Sequence, residues 1–308
     1  MPVERVSDAR PGDDSWRANA LVGSRHSRWV DELRKPLDLH DRERAQEICG
    51  QVSRLVLRDF APALLLLPRT DRHRLQAMTA YALTLFDFAR QTGLAGESLT
   101  AINRWEFDLE ATLDGQPPGQ PVYVLIHALD QQRPWAREGF DHLHACARHR
   151  CMRTRPPDRR AAEREALHLG KSLAWLALDE EPTEPVAGFA SALVRLHGLL
   201  DLGDDLRRHR ARLPLSELPD SWIAGEEEDP QTLAAVIQSE CRRLESLLEP
   251  RKPGAQMPRD LRAAARYSRR TARALLKQVQ SAGVRVVETP PQMGLLSRLG
   301  LLMGSRWL

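Results

Sequence analysis

The sequence predicts a single all-α domain, and three observations support this fold class. Aromatic residues make up only 5% of the 308 residues, whereas β-sandwiches and barrels favour aromatic and β-branched side chains. Apolar residues recur at helical spacing from Leu39 almost to the end of the chain, and Val284–Val287 is the one segment with the composition of a strand. A hydrophobic fraction of 42% with a net charge of +3 excludes a disordered chain.

Helix caps and helix breakers delimit the predicted elements. Residues 1–36 have no sustained period and are predicted to form a loosely structured arm ahead of one domain over 37–308. Asp41 predicts the start of a first helix that continues to about Leu67, where Pro68 ends it. The remaining helices are predicted at about 70–91, 96–113, 122–131, 134–149, 161–178, 185–208, 230–248, 258–281 and from 294 onwards.

Composition also bounds the location and the partners of the protein. The first residues include charges where a signal peptide would need an apolar run, and no stretch reaches the ~20 apolar residues of a membrane span. We therefore expect a cytoplasmic protein. The 45 basic and 42 acidic residues are interspersed, so we expect no nucleic-acid partner.

Three aspartates follow an apolar stripe on the predicted helix over 185–208. They are spaced i, i+3 and i+4, so at least two share a helix face, and they are Asp201, Asp204 and Asp205. Carboxylates turned towards a bundle interior need an ion pair or a metal, and Mg²⁺ is usually held by a few carboxylates plus substrate phosphates. Arg208 and Arg210 follow directly and could hold such phosphates. Alternatively, the helix ends near residue 203 and the acids pair with these arginines on the surface.

Three segments, in order along the chain, match motifs of one known family. Leu64–Leu83 is similar to its leucine-proline-basic stretch, Trp105–Val122 to its Trp-x-x-x-Leu helix and Gly-Pro turn, and Leu193–Leu218 to its second aspartate-rich motif. Together they resemble the squalene/phytoene synthase family over about residues 45–305. The resemblance implies an isoprenoid-synthase-like helical bundle around a central cavity.

The resemblance also implies a chemistry. In active members, two acidic clusters on facing helices hold Mg²⁺ against a prenyl diphosphate, and its diphosphate departs to leave an allylic cation that a second prenyl diphosphate attacks head-to-head. The implied roles are metal binding by Asp201, Asp204 and Asp205, diphosphate binding by Arg69, Arg208 and Arg210, and catalytic contributions from Tyr81, facing the cation, and Asp87. The implied cofactor is Mg²⁺, and the sequence does not bear on a need for NADPH.

The first acidic cluster of the family is missing from the matching helix. Asp87 is the only acid between residues 76 and 96, and its alternative role is an i,i+3 ion pair with Arg90. Two hypotheses follow: a Mg²⁺-dependent prenyltransferase, or a non-catalytic member that acts as a binding or assembly protein, like relatives that assemble respiratory complexes. The missing cluster favours the second. An acid such as Glu106 or Asp108 opposite Asp204 would favour the first.

Two further segments each allow two interpretations. The arginine-rich run Arg148–Arg160 could bind phosphate, RNA or an anionic lipid surface, or it could be a solvated loop between helices. The tail over 294–308 carries leucines beside Arg298 and Arg306, which suits either a peripheral membrane contact or a last helix packed on the bundle. A prenyl ligand would favour the membrane.

Overall fold

Every regular element that the structure describes is helical, which confirms the predicted fold class. The computed structural model describes residues 31–90, 95–152, 155–207, 211–217, 230–249 and 259–306. Its α-helices, in chain order, are α1 (Arg42–Leu57), α2 (Arg69–Arg90), α3 (Ala95–Leu113), α4 (Pro121–Asp130), α5 (Arg137–Met152), α6 (Arg159–Leu178), α7 (Glu184–Leu200), α8 (Leu202–Arg207), α9 (Pro230–Leu248), α10 (Arg259–Ala282) and α11 (Leu295–Arg306). Shorter 3-10 helices cover Arg58–Leu66, Leu215–Glu217 and Gly283–Val287, so the strand-like Val284–Val287 is helical as well.

The first predicted helix is divided in two at Arg58. Asp41 caps α1 as expected, because its carboxylate accepts a hydrogen bond from the Arg44 backbone N–H. Arg58 has a φ of 48°, and the chain continues as a 3-10 helix that contains Pro62. A proline inside an α-helix removes one N–H and clashes with the carbonyl four residues earlier, which here belongs to Arg58. The predicted continuation to Leu67 as an α-helix was therefore wrong.

The folded body begins earlier than the predicted boundary at residue 37. Residues 31–34 are helical and Leu33 is fully buried. The Leu37 N–H donates to the Gly119 carbonyl at 2.5 Å, which fixes this segment against the turn before α4. The rest of the predicted arm, residues 1–30, lies outside the described residues.

Two large apolar clusters form the two halves of the bundle. Helices α1–α5, with part of α6, surround buried side chains such as Tyr81, Ile102 and Phe140. Helices α7, α9 and α10 surround a second cluster that includes Leu196 and Leu244. Helix α6 packs against α5 on one side and α7 on the other, and an open space remains between the clusters.

The helix predicted over 185–208 breaks just before its last two aspartates. Helix α7 ends at Leu200, and α8 begins at Leu202. A Cβ added to Gly203 would lie 1.8 Å from the Val287 carbonyl oxygen, so only glycine allows α8 to approach the Gly283–Val287 segment this closely. The direction of α8 is therefore set by a distant part of the chain.

Candidate functional site

A cavity of about 600 Å³ lies between the two halves of the bundle. This volume falls within the ~300–1,000 Å³ typical of ligand sites. Most of its lining is apolar and comes from α1, the Arg58–Leu66 segment, α2, α6, α7 and α10, with side chains that include Leu57, Phe60, Leu64, Leu67, Leu75, Met78, Leu83, Phe86, Leu169, Leu173, Phe189, Leu193 and Leu261. The cavity can bury an elongated apolar ligand.

Part of the lining is a network of arginines and glutamates. We call it the arginine–glutamate network, and its members are Arg150, Arg159, Arg195, Arg212, Glu165 and Glu240. Glu240 accepts hydrogen bonds from Arg159 at 2.5 Å and from Arg195 at 2.6 and 2.8 Å. Glu165 accepts from Arg150 at 2.6 Å and lies 3.3 Å from Arg212. The network joins α5, α6, α7, α9 and the segment after α8.

Both glutamates of this network are held in the ionised form. Burial would raise the pKa of the Glu165 carboxyl, but the charges of Arg150 and Arg212 outweigh it and lower the pKa below its ordinary value. Burial likewise opposes ionisation of Glu240, and hydrogen bonds from Arg195 and Arg159 lower its pKa. Such buried pairs are costly to break, because the remaining partner is left charged in an apolar surrounding.

The three aspartates predicted to bind metal all line the cavity. Asp201 forms an ion pair with Arg58 at 2.9 Å, and the Asp204 carboxylate lies 3.7 Å from Arg207. Asp205 is buried, with only 5% of its surface exposed. The helix does break in this region, as the alternative expected, but the acids face the cavity, Asp201 pairs with Arg58, and Arg208 and Arg210 lie outside the described residues.

Asp87 also lines the cavity, and it pairs with an arginine distant in the sequence. Arg34, in the helical turn before α1, places Nη2 3.6 Å from the Asp87 carboxylate. The same guanidinium lies 4.6 Å above the Phe88 ring. Asp87 is thus tied to the start of the described chain.

The residues present do not fit a magnesium cluster held between two acidic helices. In the part of the chain that the structure describes, no group of three or more His, Cys, Asp or Glu side chains could hold a metal ion. Asp87 on α2 is bound by Arg34, and Asp201 is bound by Arg58. The larger acids of the lining, Glu165 and Glu240, are each held by two arginines. The magnesium assignment has no support from this geometry.

The assignment of Tyr81 to the cavity was wrong. Tyr81 is fully buried in the cluster of α2–α5, away from the cavity lining. Its hydroxyl is 2.7 Å from Nε2 of His144, and its ring stacks on Trp105 with centroids 5.5 Å apart. The His144 Nδ1 is 3.7 Å from Glu106, which pairs with Arg148. Tyr81 is therefore a core residue, and it stands at one end of a series of polar contacts that runs through His144 and Glu106 to Arg148.

The burial of His144 predicts that the folded state loses stability in acid. Burial lowers the pKa of His144 from 6.5 to about 4, although Glu106 opposes the shift. The unfolded state therefore binds more protons than the folded state between these values, and stability is lost as the pH falls from about 6.5 towards 4. We expect the free energy of unfolding to decrease by a few kcal/mol over this range.

Urea unfolding at several pH values will check this, with His144→Gln as the comparison. The variant lacks the titrating group, so its stability should depend less on pH. Identical pH profiles of the two proteins would contradict the assignment of acid sensitivity to His144.

The other predicted residues divide into those outside the cavity and those outside the described chain. Arg69 is exposed at the start of α2 and is absent from the cavity lining, so its assignment to diphosphate remains a prediction. Arg208 and Arg210 lie outside the described residues. Glu106 and Asp108 do not face Asp204, because Glu106 pairs with Arg148 on α5 and Asp108 pairs with Arg104 on α3.

Sequence reasoning missed the members of the arginine–glutamate network. Arg150 and Arg159 belong to the run interpreted as either an anion site or a solvated loop, and both point into the cavity. A signal was present, because Arg150 directly follows one predicted helix and Arg159 lies two residues before the next, so neither lies in the middle of the loop. Glu165 and Glu240 gave no comparable signal, since each is one of two acids on an ordinary amphipathic helix.

The fold is that of the all-α isoprenoid synthases. Three solved structures are similar to it: a dehydrosqualene synthase in complex with ligand (TM-score 0.72, 17% identity, 87% of this chain and 98% of that one), the squalene synthase HpnC from Alicyclobacillus acidocaldarius (0.63, 18%, 79% and 95%), and YisP from Bacillus subtilis subsp. subtilis strain 168 (0.62, 13%, 85% and 96%). At these identities the likeness concerns the fold.

A family model described as squalene/phytoene synthase matches residues 54–298. The chain therefore belongs to the squalene/phytoene synthase family, as the three sequence motifs indicated. The search of curated protein sequences found no match to the chain.

Proposed function

We propose that this protein binds one prenyl diphosphate in its cavity and does not condense two of them. The observation that carries the proposal is that six of the described acids lining the cavity lie within ion-pair distance of arginines: Asp87, Glu163, Glu165, Asp201, Asp204 and Glu240. Membership of the squalene/phytoene synthase family supports the ligand class. The ion pairs support the absence of condensation.

The apolar lining and the arginine–glutamate network suit the two parts of such a ligand. A prenyl chain gains free energy when apolar surface is buried, by about 25 cal/mol per Å², and leucine, phenylalanine and methionine side chains supply the walls. The diphosphate suits arginine, which binds phosphate oxygens in a bidentate manner. Arg150 donates to Glu165 through Nε, and a guanidinium has five N–H donors, so one side chain can serve both partners.

Condensation requires more than binding. The diphosphate must depart, and metal ions neutralise its charge in enzymes that catalyse such steps. Here Arg58 and Arg34 neutralise the acids at Asp201 and Asp87. A ligand held this way keeps its diphosphate, which is the behaviour of a carrier or binding protein.

Two measurements on the purified 308-residue chain test the proposal. With farnesyl diphosphate and Mg²⁺, we expect neither diphosphate release nor a C30 product above the protein-free background. With farnesyl thiolodiphosphate, an analogue that ionises poorly, we expect binding by calorimetry. Arg150→Gln should weaken that binding about tenfold, the loss of one charge-assisted contact. Arg137→Gln is the matched control, because Arg137 lies outside the lining in an exposed pair with Asp114.

Two outcomes would overturn the proposal in different ways. Turnover with Mg²⁺ that is abolished by Asp204→Asn would identify a condensing enzyme. Farnesol binding as tightly as the thiolodiphosphate, and unchanged by Arg150→Gln, would assign the cavity to a neutral isoprenoid.

A further inference from the structure

Helix α11 carries an apolar strip that the described bundle leaves uncovered. Four large apolar side chains on it are between 46% and 84% exposed: Leu295, Leu296, Leu299 and Met303. At about 100° per residue they fall within an arc of about 100° on one side of the helix. Isolated exposed leucines are common on protein surfaces, whereas a contiguous strip marks an interaction site.

The bundle fixes the strip in its outward orientation. On the opposite side of α11, the Arg298 Nε donates to the Asp59 carboxylate at 2.8 Å and to the Met293 carbonyl at 2.9 Å. The Asp59 side chain is 3% exposed. Leu301 and Leu302 pack against the cluster beneath α11. Turning the strip inwards would leave a buried carboxylate without its cation, which is costly.

A stripe of positive charge runs along the neighbouring helix α10. Its members recur every three or four residues and are Arg262, Arg266, Arg270, Arg273 and Lys277. They span an arc of about 80°, and α10 packs directly on α11. The Arg266 Nη2 donates to the Ser305 carbonyl at 3.1 Å, so the stripe flanks the C-terminal end of α11. On the same helix, burial and, to a smaller extent, the charge of Arg273 lower the pKa of Arg269.

We propose that α11 and this basic stripe form a docking surface for an anionic lipid bilayer. Helices with an apolar face and flanking cations lie in the interface of a bilayer, where burial of the apolar residues and attraction to anionic lipids add. Among the described residues, none of the helices has the length and apolar character of a membrane span. The exposed strip and the basic stripe carry the proposal whatever the cavity binds, and one supporting argument, the nearness of the cavity, rests on the proposed function.

Two observations favour a bilayer over a second copy of this chain. A symmetric dimer formed through the strip would bring two basic stripes towards each other, and their repulsion would oppose it. The surface also adjoins the cavity, because Leu301 and Leu302 contact the cluster that contains Leu64 and Leu67, and both of these line the cavity. An isoprenoid ligand is soluble in the lipid that such a surface would contact.

Vesicle flotation with the 308-residue chain tests the proposal. We expect the chain to float with vesicles of phosphatidylcholine and phosphatidylglycerol, and to bind about tenfold less to phosphatidylcholine alone or at high salt. The double variant Leu296→Ser/Met303→Ser should lose binding to both, and Arg273→Glu/Lys277→Glu should lose only the preference for anionic lipid. Phe107→Ser is the matched control, because Phe107 is 59% exposed on α3.

The results that would contradict the docking surface differ from those that would contradict the cavity proposal. Equal recovery with and without vesicles would overturn the docking surface and leave the ligand proposal untouched. A dimer in light scattering that Leu296→Ser/Met303→Ser dissociates would assign the strip to a second copy. Unchanged circular dichroism of each variant will show that loss of binding is not loss of fold.

Discussion

Replacing Glu240 with alanine is expected to lower the free energy of unfolding by about 3–5 kcal/mol. Glu240 is 6% exposed and accepts hydrogen bonds from Arg159 and Arg195 in the wall of the cavity. The variant leaves Arg195 charged and largely buried, with Glu163 at 3.8 Å as its remaining ion-pair partner among the described residues. Urea denaturation monitored by circular dichroism will measure the change.

Glu163→Ala is the matched control for this prediction. Glu163 lies on α6 and is 40% exposed, at 3.8 Å from Arg195 and 3.7 Å from Arg243. Exposed pairs of this kind contribute less than about 1 kcal/mol. If Glu240→Ala costs no more than Glu163→Ala, the buried pair is not a stabilising feature. The combined variant Arg195→Met/Glu240→Leu should recover part of the loss, since it removes both charges at once.

Gly203→Ala is expected to destabilise the fold by more than about 2 kcal/mol. The added methyl group would coincide with the Val287 carbonyl, because a Cβ at this position lies 1.8 Å from that oxygen. Neither backbone can move alone, since α8 carries Gly203 and the 3-10 segment carries Val287. The same denaturation experiment will measure the loss.

Gly188→Ala, on the neighbouring helix α7, is the control for a glycine in open space. No described atom lies within 4 Å of a Cβ added there. Alanine is the better helix former, so this variant should gain about 0.5–1 kcal/mol. Similar stabilities of the two variants would mean that the close approach at Gly203 relaxes at little cost.

Most of the fold could be predicted because helix boundaries are set by nearby residues. Asp41 begins α1, and α9 ends at Leu248 as its pattern indicated. The break at Arg58 was predictable in principle from Pro62, four residues later. The break after Leu200 could be expected only as an alternative to a continuous helix, because it depends on contact between Gly203 and a carbonyl distant in sequence.

The candidate site could be predicted only in part. The spacing of Asp201, Asp204 and Asp205 placed acids at the cavity, and all three line it. The cation partner of Asp201 comes from elsewhere in the chain, since it is Arg58, and spacing within one helix cannot reveal such a pair. Tyr81 shows the converse error, since an aromatic residue on the right helix faces the core.

The contacts of Asp59 have a consequence for how the molecule is made. Its carbonyl accepts from the Tyr267 hydroxyl and its carboxylate from the Met293 N–H, over separations of 208 and 234 residues. During synthesis these contacts cannot form until nearly the whole chain has emerged from the ribosome. Helices α1–α5 can build their own cluster earlier, from contacts closer in sequence. The wall of the cavity beneath α11 is therefore completed last, and until then the leucines of the Arg58–Leu66 segment require protection from aggregation.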